Sequence, residues 1–194
     1  MILVQNKQAV EDDIRIDFSG AINVWNYDRR GKFPMSHCMC AVDFIVEWPK
    51  DVWLVEIKDP TNPAIPLQYC QMQLVSFNNK LTSQGSDSLF HNELAPKVKD
   101  TFLYLYLSNL LQEKPLRYMV LIGMQLGTGV LSRYEDRLKQ AVCMSAPSNA
   151  PWKNKYLAGV GLFDLQSWNA HLQHCPAARI SSTLSEHEPR PHHR

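Results

Sequence analysis

The sequence predicts an α/β fold in which helices flank a central β-sheet, and three observations support this. Three or four strand-like segments come before any long helical pattern. Residues 116–125 form an apolar run without alternation, as expected for a strand buried on both faces. Helical patterns precede and follow that run. A chain of 194 residues is long enough for one such core and too short for two ordinary domains.

Composition narrows the function classes only slightly. Twenty basic and nineteen acidic side chains leave almost no net charge, so any nucleic-acid contact must be local. Five cysteines without regular spacing and the lack of a signal-like start predict a cytoplasmic protein with reduced thiols. The most apolar run, residues 102–111, is too short for the roughly twenty residues of a membrane span. We expect one domain over residues 1–179 and a disordered polar tail over 180–194.

The first half of the chain reads as strands. Apolar residues alternate over 13–27, which predicts one bent strand or a short hairpin with a turn or bulge at Ser19-Gly20. Two more strands, 38–48 and 52–59, surround Pro49-Lys50-Asp51. A Pro-rich loop over 59–66 follows them.

The second half alternates between helices and strands. Helices are predicted over 67–81 and 93–112, the latter with Pro96 in its first turn, where the missing N–H costs little. A further helix over 132–142 has Ser132 as cap, because Glu135 completes a capping-box pattern. A strand over 156–164 and a helix over 166–172 complete the order.

The hairpin over residues 41–59 carries the candidate chemistry. Successive side chains of a strand point to opposite faces, so a two-residue turn or a four-residue loop makes the apolar sets of the two strands coincide. Either connection places Asp43, Glu56 and Lys58 together on the other face. A three-residue loop would bury Glu56 and Lys58 among aromatic residues, at a cost of several kcal/mol.

Two carboxylates on one face indicate a cation between them. At about 5 Å they repel by roughly 3 kcal/mol at an effective dielectric constant near 20. Oxygen ligands from Asp43 and Glu56 suit Mg²⁺ or Mn²⁺, which can activate a water and neutralise phosphoryl oxygens. Lys58 beside them could orient the nucleophile or stabilise the transition state. The alternative is a solvated face on which Asp43 pairs with Lys58 across a two-residue turn.

Asp43, twelve further residues and then Glu56-Ile57-Lys58 resemble the signature of the PD-(D/E)XK nuclease superfamily. The resemblance implies a restriction-endonuclease-like core, a mixed sheet flanked by helices in αβββαβ order, over about residues 10–165. Val42 replaces the proline of the signature. An acidic residue on a helix before the first strand would correspond to Glu11, and a glutamine on the helix after the third strand to Gln68, Gln71 or Gln73.

This resemblance implies a Mg²⁺-dependent or Mn²⁺-dependent endonuclease acting on DNA, with Asp43 and Glu56 as metal ligands and Lys58 as the third catalytic residue. Restriction, repair or antiviral (phage) defence are the implied settings. The small core and weak net charge predict targeting by a partner protein or a homo-oligomer. The alternative is a catalytically inactive nuclease-fold subunit that serves as a nucleic-acid-binding or assembly module.

Other clusters in the sequence have simpler explanations. Cys38 and Cys40 supply only two zinc ligands, so we expect buried thiols. A group near a helix end, His171, His174 and Cys175, has no complementary cluster and predicts a surface helix terminus. Basic groups could line a phosphate-binding rim, although each is more often a solvated face; they are Arg29, Arg30, Lys32, Lys97, Lys99, Arg133, Arg137 and Lys139.

Overall fold

The computed structural model describes residues 1–28, 37–111, 113–144 and 156–181. Within these ranges the strands are β1 (Ile2–Leu3), β2 (Gln8–Glu11), β3 (Ile14–Asp17), β4 (Asn23–Asn26), β5 (Phe44–Glu47), β6 (Val52–Lys58), β7 (Leu116–Ile122), β8 (Gly159–Asp164) and β9 (Ala177–Arg179). The helices are α1 (Leu67–Thr82), α2 (Ala95–Leu107), α3 (Thr128–Ala141) and α4 (Leu165–His171). A π-helical segment, Phe90–Leu94, leads directly into α2.

Six of these strands form one mixed sheet in the order β1-β4-β5-β6-β7-β8. The pairs from β1 to β6 are antiparallel, whereas β7 is parallel to β6 and β8 is parallel to β7. The parallel strands β6 and β7 are buried on both faces, which explains their continuous apolar sequences. The prediction of an α/β fold with helices around a mixed sheet is confirmed.

Each face of the sheet packs against its own core. On one face Ile45, Leu54 and Val120 contact the π-helical segment, α2 and α3. On the other face Phe44, Val55 and Leu121 contact α4 and a small three-stranded sheet, β2-β3-β9. The alternation along β5 and β6 therefore separates two buried faces, and Trp48 and Trp53 lie in the second core as expected.

The segment over residues 13–27 differs from its prediction. It is neither one bent strand nor a hairpin, because β3 belongs to the small sheet and β4 to the large one. Ser19-Gly20 lies between them, where the chain crosses from one sheet to the other. Alternation indicated strand structure in this segment but carried no information about the partner of each strand.

Several helix and strand boundaries also differ from prediction. The helix expected over 93–112 continues a π-helical segment and ends at Leu107, and Gln112 lies outside the described residues. The next helix starts at Thr128, so the predicted cap Ser132 lies inside it. A capping box does occur at α4, where Asp164 accepts a hydrogen bond from the Ser167 backbone N–H. Residues 38–43 are not part of a strand.

The small sheet joins distant parts of the chain. Ile180 and Ser181, which the sequence placed in the tail, both donate backbone hydrogen bonds to Asp13. Residues 182–194, the rest of the predicted tail, lie outside the described part of the chain. In the ranges that the structure describes, no helix has the length and apolar character needed to cross a membrane.

Candidate metal centre

The β5–β6 hairpin closes with a four-residue loop. Glu47 pairs with Val52, so Trp48 to Asp51 form the connection. Phe44 pairs with Val55, and one step further places Asp43 level with Glu56 rather than with Lys58. The expected shared face of Asp43, Glu56 and Lys58 is thus present. The alternative pairing of Asp43 with Lys58 across a two-residue turn is not, because Lys58 pairs with Glu56 and Glu93.

The carboxylates of Asp43 and Glu56 converge on one cation, the ammonium of Lys97. Its Nζ lies 3.2 Å from Oδ1 of Asp43 and 2.8 Å from Oε1 of Glu56. Lys97 comes from α2, which covers this face of the hairpin. The other oxygen of Asp43 accepts a hydrogen bond from the Ile57 backbone N–H at 2.7 Å. The two carboxylates therefore lie within reach of a common point.

Alternating charges continue from this point along the site. Lys97 Nζ also lies 3.6 Å from Asp28. On the other side Lys58 Nζ lies 3.3 Å from Glu56 and 3.0 Å from Glu93, and Lys80 of α1 pairs with Glu93 at 2.8 Å. This charge chain consists of Asp28, Lys97, Asp43, Glu56, Lys58, Glu93 and Lys80, and it links the hairpin to α1 and to the start of α2.

Glu56 has the least solvated charge of the site. Its side chain is 0% exposed, and neither oxygen accepts a hydrogen bond of good geometry from the described residues. Burial raises the pKa of Glu56 to about 8, and the charge of Asp43 adds to the rise, while Lys97 and Lys58 oppose it. Burial likewise raises the pKa of Asp43. Uncompensated negative charge at the two carboxylates is therefore unfavourable, and a proton or a nearby cation relieves it.

The two lysines remain charged. Burial acts to lower the pKa of Lys97, but Glu56 and Asp43 outweigh it, and the pKa is raised. Burial also acts to lower the pKa of Lys58, but the negative charges beside it, chiefly that of Glu56, outweigh burial and raise the pKa. A lysine with a raised pKa donates hydrogen bonds and positive charge, and it does not serve as a general base near neutral pH.

The centre lies at the bottom of a cleft of about 600 Å³. Carboxylates dominate its lining, which comprises Glu11, Asp12, Asp28, Asp43, Glu56, Ile57, Lys58, Asp59, Pro60, Met72, Gln73, Ser76, Phe77, Lys80, Glu93 and Lys97. Of the three candidate glutamines on α1, Gln73 lines this cleft. An anionic substrate would be repelled by this lining unless a further cation were bound.

Glu11 lines the same cleft, although it does not lie on a helix. It belongs to β2 of the small sheet. Burial raises the pKa of Glu11 to about 7, and the charges of Asp43 and Asp12 add to the rise. The described residues before Glu11 form strand and turn rather than the helix that the resemblance implied.

A structural ion-pair cluster borders the cleft beside Lys58. Arg179 of β9 lies 2.8 Å from Asp59 and 3.1 Å from Asp13, and it donates to the carbonyl oxygen of Gly123. A Cβ atom at Gly123 would lie 2.5 Å from Asp59 Oδ1, so only glycine leaves room for this carboxylate. Asp59 is therefore held by Arg179 and not directed at the charge chain.

The residues of the centre fit a divalent cation with few protein ligands. Among the described residues no group of three or more His, Cys, Asp or Glu side chains is arranged to hold a metal. Asp43 and Glu56 would supply two carboxylates, which is the usual protein contribution to Mg²⁺, an ion that retains several waters. The unpartnered, buried Oε2 of Glu56 is the observation that favours this fit.

Among the described residues, the cysteine and histidine candidates form no group that could hold a metal. Cys38 and Cys40 are exposed, so the expectation of buried thiols is wrong. Cys175 is buried, which raises the pKa of its thiol to about 12, and the His174 ring packs against Trp48 and Trp53. The basic residues Arg29, Arg30 and Lys32 lie outside the described residues.

Sequence reasoning missed the central role of Lys97. The sequence suggested either a phosphate-binding rim or a solvated face for Lys97, whereas the structure places it between the metal-ligand candidates. Glu93 was predicted only as the start of a helix, with no role in the site. The available signal was their spacing of four residues at the start of a helix, which brings two charged side chains to one face while the opposite face is apolar.

Comparison of the chain with protein-family models, with curated proteins and with solved structures finds no match.

Proposed function

We propose that the protein is a divalent-metal-dependent nuclease that hydrolyses phosphodiester bonds of DNA. One observation carries the proposal: the carboxylates of Asp43 and Glu56 approach a single point, within 3.2 Å and 2.8 Å of one cationic nitrogen, at the bottom of an acidic cleft. Mg²⁺ or Mn²⁺ bound there would lower the pKa of a coordinated water and neutralise charge on the phosphoryl oxygens.

Lys58 has the protonation state that this chemistry needs. Lys58 stays charged beside Glu56, so its Nζ can donate to an attacking water or to a phosphate oxygen. Glu93 of the π-helical segment positions Lys58, and Lys80 pairs with Glu93. Lys58 therefore acts by donating hydrogen bonds and positive charge, without losing its proton.

The strand order supports the proposal that the fold is restriction-endonuclease-like. From β4 onward the chain runs through three antiparallel strands, helices and a parallel strand, which matches the βββαβ part of the αβββαβ order; among the described residues no helix precedes these strands. The resemblance to this nuclease superfamily also supports three further parts of the proposal. They are DNA as the substrate, a role in restriction, repair or phage defence, and a targeting partner or homo-oligomer.

A second function is favoured by one specific observation. Lys97 already forms ion pairs with both Asp43 and Glu56, so the two carboxylates have a cationic partner without a metal. This arrangement fits a catalytically inactive subunit that binds nucleic acid or protein. The two functions differ in their dependence on metal, because the enzyme requires a divalent cation and the scaffold is indifferent to it.

The test is cleavage of supercoiled and linear DNA by the purified chain with Mg²⁺, Mn²⁺ or EDTA. Lys58→Ala should abolish metal-dependent cleavage because it removes the cation beside Glu56. Lys114→Ala is the matched control, since Lys114 is similarly exposed and pairs with Glu47 away from the cleft. Absence of cleavage under every condition, together with absence of metal binding, would favour the scaffold.

A further inference from the structure

The position of Lys97 indicates how the centre is occupied when no metal is bound. We propose that Lys97 occupies the divalent-cation position in the metal-free protein, and that metal binding displaces its ammonium toward Asp28 at the side of the cleft. This inference rests on the metal site of the proposed function. It gives Lys97 the role of occupying the cation position, and Lys97 is not one of the signature residues of the hairpin.

The contacts of Lys97 are those that a bound cation would make. Its Nζ contacts Oε1 of Glu56 and Oδ1 of Asp43, which belong to the same two carboxylates that would hold the metal. Glu56 Oε2 remains without a hydrogen bond from any described residue, although it is fully buried. One ammonium therefore satisfies the pair incompletely, and the centre retains capacity for an ion of higher charge.

The backbone around Lys97 is fixed, so its side chain alone must move. Val98 and Thr101 of α2 are fully buried. Thr101 Oγ1 accepts a hydrogen bond from the Val42 backbone N–H at 3.1 Å, which ties α2 to the residue before Asp43. Pro96 lies at the start of the helix. The helix backbone is thus held in place, and the four-carbon side chain of Lys97 is the part that can change conformation.

Asp28 provides the place to which Lys97 can turn. It lies 3.6 Å from Lys97 Nζ and is more exposed than Asp43 or Glu56, with 39% of its side chain accessible. An ammonium and a divalent cation repel each other at contact distance, so both cannot bind the same carboxylate oxygens. Displacement toward Asp28 keeps the lysine paired while the metal takes its position.

The first experiment measures metal affinity directly. Calorimetric titration with Mn²⁺ and with Mg²⁺ compares the wild-type protein with Lys97→Met, which keeps much of the side-chain volume without the charge. We expect at least tenfold tighter metal binding by this variant, because no ammonium competes. Lys80→Met removes another cleft lysine, whose ion pair is with Glu93 rather than with Asp43 or Glu56, and it should change the affinity far less. Unchanged or weaker binding by Lys97→Met overturns the inference, since loss of a purely structural lysine would weaken the site.

The second experiment uses the wild-type protein, so it does not depend on the variant folding. Lysine acylation followed by mass spectrometry is carried out with and without saturating Mg²⁺. Labelling of Lys97 should rise severalfold with metal, while Lys114, paired with Glu47, serves as an internal control. Equal labelling of Lys97 in both conditions overturns the inference.

The two proposals fail in different ways. DNA cleavage with unchanged metal affinity in Lys97→Met would leave the nuclease function standing and overturn the role of Lys97. Tighter metal binding by Lys97→Met without cleavage of any DNA would support the displacement and contradict the nuclease function.

Discussion

Glu56 shows how a single buried carboxylate can determine the properties of a site. Its burial raises its pKa to about 8, well above its ordinary value of 4.5. Between these two values the folded protein binds more protons at this position than the unfolded chain does. By linkage, this group makes the free energy of unfolding fall as the pH rises from about 4.5 to about 8.

Glu56→Gln should remove this dependence. We expect the variant to gain stability relative to the wild type as the pH rises from 5 to 9, because glutamine carries no charge that must stay buried. Urea unfolding in EDTA at pH 5, 7 and 9 measures the difference. Glu135→Gln, which changes a partly exposed carboxylate paired with Lys139, is the control and should show a small, pH-independent effect. A wild-type advantage that grows with pH would contradict the assignment.

The hairpin residues of the centre were predictable from sequence, and the residues that complete it were not. Strand alternation and the requirement for a continuous apolar face were enough to bring Asp43, Glu56 and Lys58 together. Lys97 joins them through the packing of α2 on the sheet, a tertiary contact 41 residues from Glu56 along the chain. The spacing of Glu93 and Lys97 indicates a charged helix face, but no local pattern specifies which part of the sheet that face contacts.

At the scale of elements, α1 differs from the other long helices. Only Leu81 is buried among its sixteen residues, and apolar side chains such as Leu67 and Met72 are exposed. Its N-cap Pro66 makes no side-chain hydrogen bond to the first turn. Yet Met72, Gln73 and Ser76 line the cleft, so a weakly packed helix forms one wall of the site.

Hydrogen exchange should reveal this difference. Amides of α1 should exchange faster than those of α2, because local opening of α1 exposes little buried surface. Mass-spectrometric exchange of the free protein measures both helices in one experiment, with α2 as the internal reference. Equal protection of the two helices would contradict the expectation and would show that α1 opens only with the whole fold.

The elements themselves were predicted more reliably than their ends and partners. The buried strand β7 follows directly from an apolar run, and the helix predicted over 67–81 is present as α1. The expected cap Ser132 was wrong because a capping-box pattern also occurs inside helices, and α3 starts one turn earlier at Thr128. The separation of β3 and β4 into two sheets depends on β9, which lies far away in sequence.

At the scale of the whole molecule, Arg179 joins the end of the described chain to both sheets. It pairs with Asp13 beside β3 and with Asp59 after β6, and it donates to the Gly123 carbonyl oxygen after β7. Removal of one partner from such a buried cluster leaves uncompensated charges, which costs about 3–5 kcal/mol. We therefore expect the small sheet to stabilise the core that it covers.

A matched pair of truncated chains tests this conclusion. A chain ending at Pro176 lacks β9 and Arg179, and we expect it to lose on the order of 3–5 kcal/mol of unfolding free energy. A chain ending at Ser181 retains the described hydrogen bonds of Asp13 and serves as the control. Urea midpoints compare the two. Equal midpoints would show that the Arg179 cluster contributes little.

The pairing of β3 with β9 also has a consequence for how the protein is made. Ribosomes add about 5–20 residues per second, so β9 emerges on the order of ten seconds after β3. Until then β2 and β3 are a two-stranded hairpin, which is marginal alone in water. Glu11 and Asp12 belong to that hairpin and form one wall of the cleft. A nascent chain therefore lacks a finished cleft, and the proposed nuclease would be inert throughout its own translation.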